Sequence, residues 1–240
     1  MYYWNKDNFE GLLGIGNSFK GEDDFELFAE YCFLKEKGLK KQAVKVIKDY
    51  VNHLKKLDLN KQRDVCVRLA ELAFWKSDIH QLLSHPLQVY ITDIFSGWCS
   101  NEVPDAPYTL LGYMTGENEC FLQALQFNPN DQIALYRLAI SAIDNVDYQL
   151  HHVSESLFLG DESNALSQLA DAKSFFNRME DSKFKDFLTK EIKDSEELLT
   201  DWICYKEQVD NADITSMSFP KWCEVNNKAY SFSQPVYYDE

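Results

Sequence analysis

Two adjacent histidines stand among three carboxylates in the segment DYQLHHVSESLFLGDE, residues 147–162. In chain order, the five side chains belong to Asp147, His151, His152, Glu155 and Asp161. Imidazole and carboxylate groups can bind a metal ion, or they can transfer a proton as general acid and general base. The same residues can also form one turn of an ordinary helix that packs or contacts a partner. The sequence leaves these three interpretations open.

The spacing of these residues limits what a metal site could use. Adjacent residues of a helix point about 100° apart, so His151 and His152 do not readily share one ion. Asp147 can meet His151, and His152 can meet Glu155, on one helix face. Neither pair supplies a third ligand, and the chain has no H-E-x-x-H motif. We therefore predict no metal, no cofactor and no catalytic residue. An enzyme or metal-binding protein centred on Asp147, His151, His152 and Glu155 is the alternative.

The glycine-rich segment GLLGIGNSFKG, residues 11–21, is a second candidate for chemistry. It lacks the G-x-x-x-x-G-K-[ST] pattern of a phosphate-binding loop. Gly14 and Gly16 are followed by no third glycine in the dinucleotide-binding spacing, and no strand precedes them. We therefore interpret the segment as a flexible loop that leads into a helix near Asp23.

The charge of the chain indicates the kind of partner it could bind. Its 240 residues include 24 basic and 39 acidic ones, a formal net charge of −15, and the excess acid lies after residue 60. Such an excess repels nucleic acid and anionic membranes and favours a basic protein. Lysines crowd into residues 35–56, where they could bind an acidic partner or simply face solvent.

The spacing of the cysteines and the N-terminal segment indicate the cellular compartment of the protein. The six cysteines show no C-x-x-C spacing. The first ten residues, MYYWNKDNFE, have neither a basic region nor a long apolar region, so no signal peptide is expected. No apolar stretch approaches the ~18 residues of a membrane helix. We expect reduced thiols and a cytoplasmic protein.

Apolar residues recur at three- and four-residue steps along most of the chain, which predicts an all-α protein. The pattern is clearest in residues 40–57, 61–75 and 183–209. No alternating apolar and polar run predicts a strand. Pro86 is expected to kink or split the helix that contains it.

These segments divide the chain into a helical part at 1–99, a linker at 100–107, a second helical part at 108–209 and an irregular tail at 210–240. We expect them to form one continuous structural unit. The tail is aromatic, with Phe219, Trp222, Tyr230, Phe232, Tyr237 and Tyr238. That composition predicts packing over the last helices, and the alternative is that the tail forms or occupies a partner-binding groove.

Residues 121–142, FLQALQFNPNDQIALYRLAISA, resemble the junction between two tetratricopeptide repeats (TPR). The matching positions are Phe121, Ala124, Leu125, Pro129, Ala134, Leu135, Tyr136, Leu138 and Ala139. Pro129 cannot continue a helix, and Asp131 can cap the next one. The resemblance implies a TPR-like α-α superhelix of two or three irregular helical hairpins, and an unrelated helical bundle is the alternative.

The repeat register carries an expectation for the two histidines. Continued along the chain, it implies a turn at residues 146–148, followed by a second helix that holds His151 and ends at Gly160. Asp161 or Ser163 would then cap the following helix.

Taken together, these features predict a non-enzymatic protein–protein interaction module of helical-repeat type. Its acidic surface would bind a basic partner, as in an adaptor or an immunity-type protein that masks a basic enzyme. The candidate contact residues are Tyr148, His151, His152, Trp202 and Trp222. The oligomeric state is left open.

Overall fold

The computed structural model describes residues 6–76, 78–79, 82–211 and 217–230, which form helices and loops without a strand. The all-α class predicted from periodicity is confirmed for this part of the chain. The helices are α1 (Lys6–Phe19), α2 (Glu26–Glu36), α3 (Lys40–Leu54), α4 (Leu59–Trp75), α5 (His85–Cys99), α6 (Tyr108–Thr115), α7 (Asn118–Phe127), α8 (Gln132–Leu150), α9 (Glu162–Asn177), α10 (Lys183–Asp210) and α11 (Phe219–Val225). One turn of 3-10 helix, Val153–Glu155, lies between α8 and α9.

The chain forms two compact units, Met1–Phe127 and Asn128–Glu240. The first contains α1 to α7, and the second contains α8 to α11. Residues 100–107, the predicted linker, form a loop between α5 and α6 inside the first unit. The division between the units falls after Phe127.

The first three helices pack in succession around an aromatic core. Phe19 stacks on Phe25 with ring centroids 4.6 Å apart, and Phe28 lies 5.9 Å from Tyr50. The apolar stripe predicted along α3 is buried and consists of Ala43, Ile47, Tyr50, Val51 and Leu54. Amphipathic periodicity therefore identified both this helix and the face it buries.

The glycine-rich segment belongs to helix α1 through Phe19, so the predicted flexible loop is wrong. Its glycines allow close packing. A Cβ atom on Gly11 would lie 2.7 Å from Ile79 Cδ1, and one on Gly16 would lie 2.6 Å from Phe33 Cε1. Neighbouring side chains thus occupy the space that larger residues would need.

Pro86 begins a helix and does not kink or split one. It lies in the first turn of α5, after the N-cap Ser84. In that turn the missing N–H would have had no partner within the helix, so proline is accommodated there.

In the second unit, α8 packs against α9, and α10 packs against both. Asp131 caps α8 by accepting hydrogen bonds from the N–H groups of Ile133 and Ala134, as predicted. Asp161 caps α9 by accepting one from the N–H of Ser163. Helices α8 and α9 therefore begin directly after the two aspartates that the sequence predicted as caps.

Helix α8 then continues through residues 146–148 to Leu150, so the repeat turn expected there is absent. Val146 is fully buried in that helix and provides no break. His151 is the C-cap, and the residues up to Gly160 form the 3-10 turn and a loop in place of the expected second helix. The matched positions Phe121, Ala124, Leu125, Ala134, Leu138 and Ala139 are all buried, and the Pro129 carbonyl accepts a hydrogen bond from Arg178.

None of the helices in the described residues is both long and apolar enough to cross a membrane.

Candidate partner-binding site

The two histidines lie just past the end of α8. Their rings are nearly perpendicular, at 87°, with centroids 5.0 Å apart. His152 Nδ1 lies 3.1 Å from Glu155 Oε1, and both side chains are partly exposed. The predicted His152–Glu155 pair is therefore formed, but within the 3-10 turn and not along a helix.

Asp147 is engaged elsewhere. Its Oδ1 accepts a hydrogen bond of 2.8 Å from Ser195 Oγ on α10. The residues that the structure describes contain no group of three or more His, Cys, Asp or Glu placed to hold a metal ion. The cluster seen in the sequence is thus divided among separate contacts: Asp147 bonds to α10, whereas His152 and Glu155 meet within the turn.

Trp202 and Trp222, two of the predicted contact residues, are buried. They belong to an aromatic cluster made by Phe158, Trp202, Tyr205, Phe219 and Trp222. The indole N–H of Trp202 donates to Glu162 Oε1 at 3.1 Å, and that of Trp222 donates to Gln208 Oε1 at 2.8 Å. Apolar burial together with satisfied N–H groups makes them core residues, so they are not surface anchors in this structure.

The tail predicted to be irregular contains the short helix α11. Phe219 is fully buried, and its N–H donates to Ser156 Oγ at 2.8 Å. Tyr205 of α10 donates from its hydroxyl to the Met217 carbonyl at 2.9 Å. Residues 217–230 therefore cover apolar surface of α10. The aromatic residues Phe232, Tyr237 and Tyr238 lie outside the described residues.

The segment after α11 borders a concave site with α8 and α10, which we name the acidic pocket. It has a volume of about 360 Å³. Its lining consists of Asp147, Glu191, Asp194, Ser195, Glu197, Leu198, Ala229 and Tyr230. Half of these eight residues are acidic, and none of them is basic. The pocket therefore presents an excess of negative charge.

Two lysines of α10 pair with carboxylates of the pocket along the helix surface. Lys190 Nζ lies 2.8 Å from Asp194, and Lys193 Nζ lies 3.7 Å from Glu197. Both pairs are solvent-exposed, and exposed pairs of this kind contribute about 0–1 kcal/mol. They reduce the charge of the pocket rim but do not line the cavity.

Asp147 lies among the carboxylates of the pocket, two of which, Glu191 and Asp194, also pair with Lys190 at 3.8 Å and 2.8 Å. Burial raises the pKa of its carboxyl group, and the nearby carboxylates of Glu191, Asp144 and Asp194 raise this pKa further. The hydrogen bond from Ser195 acts in the opposite direction. A positive group in the pocket would therefore stabilise the ionised form of Asp147.

One carboxylate of α10 is neutralised by the tail. Asp201 is 6% exposed, its Oδ1 lies 2.8 Å from Lys228 Nζ, and its Oδ2 accepts a hydrogen bond from the Tyr230 hydroxyl. Burial and Asp201 together raise the pKa of Tyr230, which keeps this hydroxyl protonated as a donor. Sequence reasoning missed the contact because its partners lie on separate elements. The sequence did contain one signal of this contact: Asp201 stands next to Trp202 in the apolar stripe of α10, where a carboxylate needs a partner.

Tyr148 is 69% exposed, unlike the two tryptophans. It borders a second groove of about 500 Å³. The remaining lining residues are Asn145, Gln149, Leu159, Gly160, Asp161, Asn164 and Gln168. His151 is exposed as well. Of the predicted contact residues, Tyr148 and the two histidines are thus accessible to a partner.

Comparison of the chain with protein-family models, curated proteins and solved structures gives no match. The acidic pocket and its surroundings therefore supply the evidence for function.

Proposed function

We propose that this chain is a non-enzymatic protein-binding module that receives a basic segment of a partner protein in the acidic pocket. The observation that carries the proposal is the lining of this pocket. It brings Asp147, Glu191, Asp194 and Glu197 together around one cavity, with no basic residue in the lining. A lysine or arginine side chain is the protein group that complements such a site in charge.

Electrostatics would act both in the pocket and at a distance. A cationic side chain beside Asp147 would offset the repulsion among Asp147, Glu191 and Asp194, and so lower the pKa of Asp147. The net charge of −15 would accelerate encounter with a basic protein. The exposed Tyr148 offers an additional aromatic contact on the same unit.

The TPR resemblance supports the same function, because stacked helical hairpins form surfaces that bind proteins. We propose that α8 and α9 are a diverged hairpin of this type, in which α8 extends past the usual turn. The burial of Ala134, Leu138 and Ala139 agrees with the close helix contacts that such a repeat requires. In the specific form of this proposal, the protein is a cytoplasmic adaptor or immunity protein whose acidic surface masks a basic enzyme.

The enzymatic alternative requires Asp147, His151, His152 and Glu155 to act together. In the structure Asp147 bonds to Ser195, whereas His152 bonds to Glu155. No contact among the described residues joins these two pairs into one site, so the geometry favours binding.

Fluorescence anisotropy with a fluorescein-labelled hexalysine peptide tests the proposed site. We expect Glu191→Gln and Glu197→Gln each to weaken binding by about twofold to fivefold, the range expected for a partly exposed ion pair. The matched control is Glu196→Gln. Glu196 lies on the same helix and pairs with Lys173 at 2.6 Å, but it does not line the pocket.

Equal weakening by all three substitutions would contradict the proposal, because it would indicate binding to diffuse charge. The natural partner can then be sought by affinity capture and mass spectrometry. We expect a recurring basic protein that is released by salt and whose recovery falls with Glu197→Gln but not with Glu196→Gln.

A further inference from the structure

We propose that residues 226–230 form a clasp beside the acidic pocket, in which the charge of Lys228 opposes the binding of a cationic group of the partner in the cavity. This inference rests on the proposed function and concerns the regulation of the same site. The partner would have to displace the clasp, so the clasp limits its affinity.

The contacts of the clasp connect it to the pocket. Lys228 Nζ lies 2.8 Å from Asp201 Oδ1, and the Tyr230 hydroxyl donates to Asp201 Oδ2. Ala229, between them in sequence, lines the acidic pocket together with Tyr230. One short segment therefore neutralises a buried carboxylate and forms a wall of the cavity.

A helix-ending turn positions Lys228. Asn227 has a left-handed backbone with φ of 55°, and its N–H donates to the Glu224 carbonyl at 3.2 Å. The N–H of Lys228 donates to the Cys223 carbonyl at 2.8 Å. This pair of hydrogen bonds is the Schellman motif that ends many helices. It returns the chain from α11 toward Asp201.

The two halves of the C-terminal segment are held by different forces. Helix α11 is anchored by Phe219 and Trp222, which are 0% and 4% exposed in the aromatic cluster. The clasp is held by a charged contact in which the Lys228 side chain is 42% exposed. Water can reach the exposed ammonium group of Lys228, so this contact can open while α11 stays docked.

Lys228 lies next to the acidic pocket, because Ala229 and Tyr230, which follow it in sequence, line the cavity. Asp201 raises the pKa of Lys228 through their hydrogen bond, and Glu197 of the pocket lining raises it further. A cationic group near Glu197 would repel Lys228 and weaken its contact with Asp201. By linkage, opening of the clasp would strengthen binding of the cation by the same factor.

The first test compares two lysine substitutions with the labelled hexalysine peptide. We expect Lys228→Met to tighten binding by about twofold to fivefold, the factor that corresponds to loss of a partly exposed competing ion pair. Lys221→Met is the matched control, because it makes the same change in net charge in the same segment. Lys221 pairs with Glu224 at 2.7 Å and does not contact Asp201. We expect it to bind hexalysine like the wild type.

A second measurement uses the unaltered chain and does not depend on how well a variant folds. Hydrogen exchange is followed with and without saturating hexalysine. The proposal expects faster exchange at the amides of Asn227 and Lys228 when the peptide is bound, because the Schellman turn loosens as the clasp opens. Exchange within α11, Phe219–Val225, should stay the same.

The outcomes separate the clasp from the proposed function. If hexalysine binds neither the wild type nor Lys228→Met, both proposals fail. If it binds and Glu197→Gln weakens it, while Lys228→Met has no effect and exchange at Asn227 and Lys228 does not rise, the clasp alone is overturned. Equal tightening by Lys228→Met and Lys221→Met would also overturn the clasp, because it would show only an effect of net charge.

Discussion

Five of the six cysteine side chains are buried, and Cys204 is exposed on α10. All six thiols are free in this structure. Burial raises the pKa of Cys32, Cys66 and Cys99 from 9.0 to about 12. The cause is desolvation, because a thiolate loses its hydration among apolar neighbours. These thiols are therefore small core residues at neutral pH.

The raised pKa of Cys66 predicts a loss of stability in alkali. An unfolded thiol ionises near pH 9.0, whereas Cys66 does so near 12, so in this window the native state binds more protons. Stability from this thiol is complete below pH 9 and is lost as pH rises toward 12. We expect Cys66→Ala to flatten the fall in unfolding free energy above pH 9, measured by urea titration. Cys204→Ala, at the exposed cysteine of α10, is the comparison, and equal slopes in both variants would contradict the prediction.

Two buried alanines in residues 121–142 should not tolerate a larger side chain. Ala139 is fully buried in α8, and Ala124 is 5% exposed in α7. We expect Ala139→Leu and Ala124→Leu each to lower the unfolding free energy by about 1–3 kcal/mol through overpacking. The control is Ala170→Leu at an exposed position of α9. Unchanged melting temperatures in the first two variants would show that these alanines do not mark close helix contacts.

At the scale of elements, long amphipathic helices were predictable because each turn repeats the same apolar signal. Helices α3 and α10 carry such stripes, and their observed bounds agree closely with the prediction. Helix α11 has only seven residues, Phe219–Val225, too few to establish a period. Its position is decided by contacts with α10 and the 3-10 turn, which are distant in sequence.

The two errors at Gly11 and Val146 have different causes. Glycine signals a loop in isolation, but Gly11 lies within α1, where a Cβ atom would lie 2.7 Å from the Ile79 side chain. At residues 146–148 the expected turn depended on the family register, whereas the local sequence contains no glycine or proline. Helix α8 therefore continues, and Val146 is buried.

The docking of α11 can be tested through its most buried side chain. Phe219→Ala removes a fully buried ring from the aromatic cluster and should lower the unfolding free energy by about 3–5 kcal/mol. Val225→Ala, at a position 59% exposed on the same helix, should change it by less than about 0.5 kcal/mol. Chain truncated after Val209 should also lose stability or solubility. Equal melting of the Phe219→Ala variant and the wild type would exclude a structural role for α11.

At the scale of the whole molecule, the sequence predicted the sign of the charge but not the place where it is concentrated. The excess of acid after residue 60 was evident from counting. The acidic pocket combines Asp147 of α8 with carboxylates of α10 and with the segment at Tyr230. Its location therefore follows from the fold and from no motif. Asp201 and Lys228 were likewise too far apart in sequence to be recognised as a pair.

The net charge of −15 predicts a salt-dependent association with basic partners. Hexalysine should associate more slowly as ionic strength rises from 0.1 M to 1 M, because the Debye length falls from about 10 Å to about 3 Å. Stopped-flow fluorescence would measure this rate, with an uncharged hexaglutamine peptide as control. A salt-insensitive complex formed through the lysine-rich residues 35–56 would show that the acidic pocket is not the site.

The aromatic cluster also has a consequence for biosynthesis. It joins Phe158 with Phe219 and Trp222, which leave the ribosome much later. Synthesis proceeds at about 5–20 residues per second, and domains generally fold as units once their residues are available. After α8, α9 and α10 have been synthesised and before α11 has, Phe219 and Trp222 cannot yet cover Trp202 and Tyr205. Their apolar surface is then exposed to chaperones and to neighbouring nascent chains. The first unit, by contrast, is complete once synthesis has reached Phe127, so all of its residues are then available to fold.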